Sequence, residues 1–279
     1  MFQVPAGPGA LHVERYGQGG PAVVLLHGFG TSAFLWRAVA PALAAAGYTA
    51  LAVDLMGYGE SDRPVEADYA IAAQAEYVRR ALLGMRVSRF VVVGVDIGGG
   101  VAQMLAATAP ASVAGLVLIN SVGLGECPGR DVREVQRASA RFALRIAREI
   151  LGAAPVLRET LEKSVADPAA MPDLLVARYV APYVGRAGVA HLLALAGALG
   201  PDDLQEIDLR TVSAPTLIVW GEADPWLDGG LSDRLHGAIA GSTLARLPDV
   251  GRLSPEEAPD ALAQLLTDWL LRTTTTPAG

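Results

Sequence analysis

The sequence predicts an α/β fold in which a mostly parallel sheet is flanked by helices and carries an inserted helical cap. Three observations point there. Short runs rich in valine and leucine alternate with alanine-rich segments of helical length, as strands buried on both faces do. Each run ends in glycine, aspartate or asparagine. Between Ile119 and Thr216 the alternation stops, and helical patterning interrupted by Pro128, Pro155, Pro168, Pro172, Pro182 and Pro201 replaces it.

Taken in order, Ala22–Leu26 leads into His27-Gly28, Thr49–Val53 into Asp54, and Phe90–Val95 into Asp96. Leu116–Ile119 then runs into Asn120, and Thr216–Trp220 into Gly221-Glu222-Ala223-Asp224. In open α/β sheets such carboxyl ends face the ligand crevice. After Thr216 the chain returns to strand, helix, strand and a final helix from about Glu256 to Leu271. The resulting division is a core of residues 1–125 and 206–272, a helical cap of 126–205, and a flexible tail of 273–279. No internal repeat is evident.

The 279 residues carry 22 Lys+Arg against 29 Asp+Glu, a net charge of −7 that excludes a strongly basic nucleic-acid binder. With 52% hydrophobic and 18% charged residues there is ample material for a core, and disorder is excluded for most of the chain. Cys127 is the single cysteine and cannot form an internal disulfide. The opening MFQVPAGPGA lacks the basic start and apolar run of a secretory signal, so a cytoplasmic location is expected. Apolar stretches such as Ala187 to Leu199 are broken by glycine or histidine and too short for a membrane span.

The chemistry concentrates at Gly94-Val95-Asp96-Ile97-Gly98, a buried strand, a glycine-bracketed residue and a helix start. This is the small-x-nucleophile-x-small frame of a nucleophile elbow, whose tight turn needs residues with almost no side chain on either side. Aspartate stands where serine usually does; read without its neighbours, it would be a helix N-cap. With four further motifs, the chain resembles the α/β-hydrolase superfamily from about Leu11 to Leu271. His27-Gly28-Phe29-Gly30 is similar to the oxyanion loop, which implies the amides of Phe29 and Ile97 as donors and His27 as support for that loop. Asp54-Leu-Met-Gly57-Tyr-Gly59-Glu-Ser61-Asp62-Arg63-Pro64 resembles the family's D-x-x-G-x-G-x-S-x-x-P loop. Leu217-Ile-Val-Trp-Gly221-Glu-Ala-Asp224-Pro225 resembles the strand and loop that present the acid of the triad.

The fourth motif, Gly251-Arg252 with Glu257 and Pro259, matches a family pattern whose second residue is the histidine base. An aspartate nucleophile resembles the branch of epoxide hydrolases and haloalkane dehalogenases, where a carboxylate attacks carbon and water then cleaves the ester. In that branch the residue after the nucleophile is often tryptophan, or arginine in fluoroacetate dehalogenases. Ile97 offers no halide donor, which ranks dehalogenation below epoxide opening. Arg252, with a pKa above about 12, cannot accept a proton as imidazole does.

Three outcomes stay open from sequence. Arg252 bridges Asp96 and Asp224 and holds Asp96 ionised with a lowered pKa, leaving it a weak base for isomerisation, cyclisation or elimination. A different histidine, among His27, His191 and His236, serves instead, His12 being remote. Or catalysis is lost. Cap tyrosines Tyr179 and Tyr183 take the place where the resemblance implies acids that polarise an epoxide oxygen, or simply pack. Trp226 lines the pocket or anchors the acid loop. Arg130, Arg133, Arg137, Arg141, Arg145 and Arg148 recur along one helical face, a solvated stripe or a dock for an anion.

The leading expectation is therefore an enzyme resembling epoxide hydrolases, acting on a small hydrophobic organic substrate with Asp96, Asp224 and Arg252 as an atypical triad. The alternatives are a cofactor-free cyclase, isomerase or lyase using Asp96 as acid/base, and an inactive ligand-binding homologue. No cofactor and no metal is expected: cysteine and histidine do not cluster, and Gly98-Gly99-Gly100 lacks a phosphate-loop lysine. No nucleic acid or membrane partner is expected, and a homodimer is compatible with the sequence.

Overall fold

The computed structural model describes residues 1–137 and 154–274. Its sheet has eight strands: β1 (Phe2–Pro5), β2 (Ala10–Tyr16), β3 (Ala22–Leu26), β4 (Thr49–Val53), β5 (Phe90–Val95), β6 (Val113–Ile119), β7 (Thr216–Gly221) and β8 (Thr243–Leu247). The order is β1-β2-β4-β3-β5-β6-β7-β8, antiparallel through the β1–β2 and β2–β4 pairs and parallel from β4 onward. All five apolar runs read from the sequence are strands of the parallel part, and every residue of β5 and β7 is buried. The antiparallel edge escapes a reading by hydrophobic runs because β2 shows water one of its faces.

Helices α1 (Val39–Ala45) and α10 (Pro259–Thr274) pack together, as do α2 (Ile71–Gly84) and α3 (Ile97–Thr108). Parallel register lines up the carboxyl ends: Leu26 lies opposite Gly94, Val95 opposite Ile119 and Ile119 opposite Val219. The loops holding His27, Asp96, Asn120 and Asp224 thus leave the sheet at one edge.

Between β6 and β7 the described residues form α4 (Arg130–Gln136), α5 (Ala154–Glu162), α6 (Asp173–Val180) and α7 (Gly185–Gly197), with 3-10 turns at Pro168–Ala170 and Ala181–Tyr183. This inserted helical region caps the strand ends. Gly30 of the loop after β3 faces Leu157 of α5 directly. In the arginine stripe, Arg130, Arg133 and Arg137 are exposed, and Arg141, Arg145 and Arg148 lie outside the described residues.

After β7 come α8 (Leu231–Ala238), β8 and a helix divided in two, α9 (Ser254–Glu257) and α10. The division falls at Ala258-Pro259, because proline lacks the amide that would continue the ladder and disfavours helical geometry in the residue before it. The last helix runs through Thr274, into the segment read as a tail. Among the described residues no helix is long and apolar enough to cross a membrane.

Candidate active site

Asp96 sits at the tip of a strained turn, with φ 53° and ψ −117°, in a region that a non-glycine residue occupies only when its surroundings impose it. The imposition is steric. A Cβ on Gly94 would stand 2.1 Å from the Gly98 carbonyl oxygen, and one on Gly98 would stand 2.4 Å from that of His27. The N-cap reading does not hold, since the Asp96 side chain makes no capping bond to α3. Instead Oδ2 accepts the Phe29 amide at 3.0 Å, and the neighbouring Ile97 amide favours the charged carboxylate. Oδ1 has no hydrogen-bond partner and is buried.

The guanidinium of Arg252, 1% exposed, lies beside it with Nη1 3.6 Å from Asp96 Oδ1. Its short contact goes elsewhere. Nη2 stands 2.8 Å from Oδ2 of Asp131, in the first turn of α4, and donates to Ser164 Oγ at 3.1 Å. Asp131 is 1% exposed, and neither sequence motif nor family pattern marked it. One sign was available: Asp131 shares the buried face of α4 with Val132 and Val135, where a carboxylate needs a partner. Arg252 Nε and Nη1 donate to no acceptor among the described residues. Arg252 thus spans core and cap. Its loop is tied to the cap as well, through Leu253 N–H to the Ser164 carbonyl and through Glu257, which accepts the amides of Gly251, Ala166 and Asp167.

Asp224 is held apart from this contact. Its Oδ1 accepts the Trp226 amide at 2.8 Å and its Oδ2 accepts Asn120 Nδ2 at 3.0 Å. Asn120 also binds both backbone groups of Gly221, so it couples the ends of β6 and β7. The expected bridge from Asp96 to Asp224 through Arg252 is replaced by one from Asp96 to Asp131, with Asp224 acting on the guanidinium only through its charge. Trp226 anchors the acid loop and also faces the site. Its Nε1 donates to Ser164, and the Arg252 guanidinium lies 6.0 Å from its ring.

Burial pushes the Asp96 carboxyl up to about 6; Arg252 opposes this, Asp131 adds to it, and the Phe29 and Ile97 amides oppose it. The expected lowering by Arg252 is overturned because loss of hydration outweighs the guanidinium. Burial likewise raises Asp224, against Arg252, the Trp226 amide and Asn120. For Arg252 burial disfavours the charge, but Asp131, Asp96 and Asp224 outweigh it, so the guanidinium stays protonated.

The histidines are engaged elsewhere. His27 Nε2 accepts the Leu55 amide, so Nδ1 carries the proton and donates to the Gly28 carbonyl at 2.8 Å. His27 thus ties the loop after β3 to the loop after β4. His191 contacts the Gly57 carbonyl at 2.6 Å and packs on Tyr183 and Tyr69. His236 is exposed and pairs with Ser242; His12 is buried against Asp54 at 2.9 Å. Tyr179 donates its hydroxyl to Glu256, itself clamped by Arg37. Tyr183 is buried, its hydroxyl without a partner, and the charges it feels are Arg63 and Asp54.

A groove of about 820 Å³ runs along the seam of core and cap, lined by Phe34, Arg37, Leu175 and Arg178 and floored by His12 and Asp54. It does not include Asp96 or Arg252. Phe34 lies between the guanidiniums of Arg37 and Arg178, at 4.3 and 4.2 Å from its ring centre.

A model of the alpha/beta hydrolase fold matches residues 21–259. The chain is 30% identical to a haloalkane dehalogenase of Mycobacterium marinum over 265 residues, covering 90% of this chain and 84% of that one. Among solved structures, an alpha/beta hydrolase fold protein from Burkholderia ambifaria superposes with a TM-score of 0.83 at 28% identity, covering 93% and 94% of the two chains. The epoxide hydrolase CorEH superposes at 0.81 over 97% and 98%, with 20% identity, a likeness of fold. The chain belongs to the alpha/beta hydrolase fold family.

Proposed function

We propose that this alpha/beta-hydrolase-fold chain is an enzyme of small hydrophobic organic substrates in which Asp96 transfers a proton, driving isomerisation, ring closure or elimination without an added cofactor. The observation that carries this is the buried Arg252 in contact with Asp96 where an imidazole base would act, with the four histidines engaged elsewhere. A two-step hydrolysis needs a group that takes a proton from water to cleave the ester, and a guanidinium cannot. A carboxyl titrating at about 6 suits the other chemistry. At neutral pH it is mostly ionised, yet close enough to neutrality to take a proton and return it.

In this reading Phe29 holds Oδ2 of Asp96, so that Oδ1 faces the substrate alone. Oδ1 removes a proton from carbon or hydroxyl. Negative charge developing on the substrate is met by the Arg252 N–H groups that bind no protein acceptor, in a site where low dielectric strengthens the attraction. The proton then returns at another atom, or departs with a leaving group.

One observation favours a second reading. An anchored Oδ2 with a free Oδ1 also suits nucleophilic attack on an epoxide or alkyl halide carbon, the first half of the chemistry the resemblance implies. Intact-protein mass spectrometry with a panel of epoxides, alkyl halides and unsaturated carbonyl compounds separates the two, with released product followed in parallel. Proton transfer yields products of unchanged mass, or of mass reduced by the leaving group, no protein adduct, and loss of product in Asp96→Asn. A persistent adduct abolished by Asp96→Asn sinks this reading and establishes the nucleophile, and Arg252→His should then restore release.

A further inference from the structure

We propose that Asp131, contributed by the cap, is a positioning residue for Asp96: it draws Arg252 toward the cap and thereby keeps Oδ1 of Asp96 open to the substrate. This deepens the proton-transfer reading and rests on Asp96 being the reacting group.

Two carboxylates compete for one guanidinium. Asp131 has the ion-pair contact at 2.8 Å, while Asp96 stands at 3.6 Å, beyond hydrogen-bond reach. Ser164, also from the cap, accepts a hydrogen bond from the same Nη2 and fixes the guanidinium on that side. All three charged residues are 1% exposed, so little water screens the competition. Were Asp131 neutral, Nη1 would have only Asp96 and Asp224 to approach, and closing 3.6 Å to a normal bond requires a shift of less than 1 Å. Oδ1 would then be occupied by a donor that cannot leave without breaking a buried ion pair.

The other titratable groups that feel Asp96 are Tyr58 and Cys127, and burial favours the neutral form of both. Asp224 acts on Arg252 through its charge while its own oxygens stay with Asn120 and Trp226. Asp131 is thus the charged group whose removal frees the guanidinium. A charge that acted on Asp96 only at a distance would shift its proton equilibrium and leave the Arg252 guanidinium where it is, so the position of the Arg252 protons is the readout that a bare charge effect does not move.

The test is a carbon-13 titration of protein labelled at aspartate Cγ, with Asp96→Asn identifying the signal. Asp131→Asn should raise the acid dissociation constant of Asp96 by about tenfold or more, since it removes a repelling charge and releases Arg252. Asp131→Glu should stay within about threefold of the unmodified protein. An Asp96 titration in Asp131→Asn unchanged to within about threefold overturns the proposal. Should that variant not fold, nitrogen-15 spectra of arginine-labelled unmodified protein decide. The Arg252 Nη2 protons should stay in place while Asp96 titrates if Asp131 holds them, and follow the Asp96 curve if it does not. Neither readout uses turnover, so absence of product in the substrate panel would strike the activity and leave this assignment standing, and the converse result would do the opposite.

Discussion

Asp54 and Asp96 are both buried carboxylates, at the ends of the two strands that flank β3, and each faces a nitrogen-bearing side chain, His12 and Arg252 respectively. They are built to opposite ends. Asp54 accepts His12 Nδ1 and the amides of Ala33 and Glu60. Burial alone would raise it, yet His12 and the backbone donors outweigh burial, and its carboxyl falls below the ordinary value. Asp96 receives one amide, from Phe29, at Oδ2, keeps Oδ1 bare, and shares its cation with Asp131, so burial prevails and its carboxyl rises. Both are nearly inaccessible to water, so degree of burial does not separate the two carboxylates. What separates them is how completely the hydrogen-bonding capacity is filled.

The contrast can be broken most strongly at Arg252. Arg252→Gln leaves Asp96, Asp131 and Asp224 without their cation and should cost about 3–5 kcal/mol at pH 8. The loss should shrink at pH 5, where Asp96 takes up a proton, as urea unfolding at the two pH values would show. Asp54→Ala should cost about 2–4 kcal/mol by removing an acceptor from His12 and two backbone amides, with little relief on acidification to pH 5 because the native carboxyl stays ionised there.

Asp96→Asn should act in the opposite direction. The native carboxyl, at about 6 against an unfolded value of 3.8, binds more protons than the unfolded chain between these values. Its ionised form therefore weighs against the fold as pH rises through that window and fully above it. The variant should gain about 2–3 kcal/mol at pH 8 and lose that advantage by pH 4, while losing turnover at every pH. A variant less stable than the parent at pH 8 would mean that Asp96 is as well satisfied as Asp54.

The smallest expected effect belongs to His12, whose pKa is raised chiefly by its bond to Asp54, against burial. A raised pKa contributes stability that is full below the unfolded value of 6.5 and fades as pH climbs through the native one. His12→Asn should thus cost about 1 kcal/mol more at pH 5.5 than at pH 9, measured by thermal melts in matched buffers.

Much of the site was legible in the chain. The glycines about Asp96 follow from spacing, the His27-Gly28-Phe29-Gly30 loop, the Asp224 loop and the arginine at 252 follow from the family resemblance, and each stands at the sheet edge where strand ends converge. Three participants were not. Asn120 read only as the end of a strand, and Ser164 and Asp131 fall within the cap with no motif to mark them. Tyr179, singled out for a cap position, spends its hydroxyl on Glu256, which lies 77 residues away in the chain.

By itself, then, the sequence determined the parallel strands, the glycine-bracketed elbow and the presence of a guanidinium at position 252. These depend on short-range matters: the period of apolar residues, the room a glycine leaves, the chemistry of one side chain. Only the tertiary structure decided which carboxylate claims Arg252 and on which side of its ordinary value Asp96 titrates. Both are set by desolvation and by charges from segments far apart in the chain, and these exist only once cap and core have closed on one another.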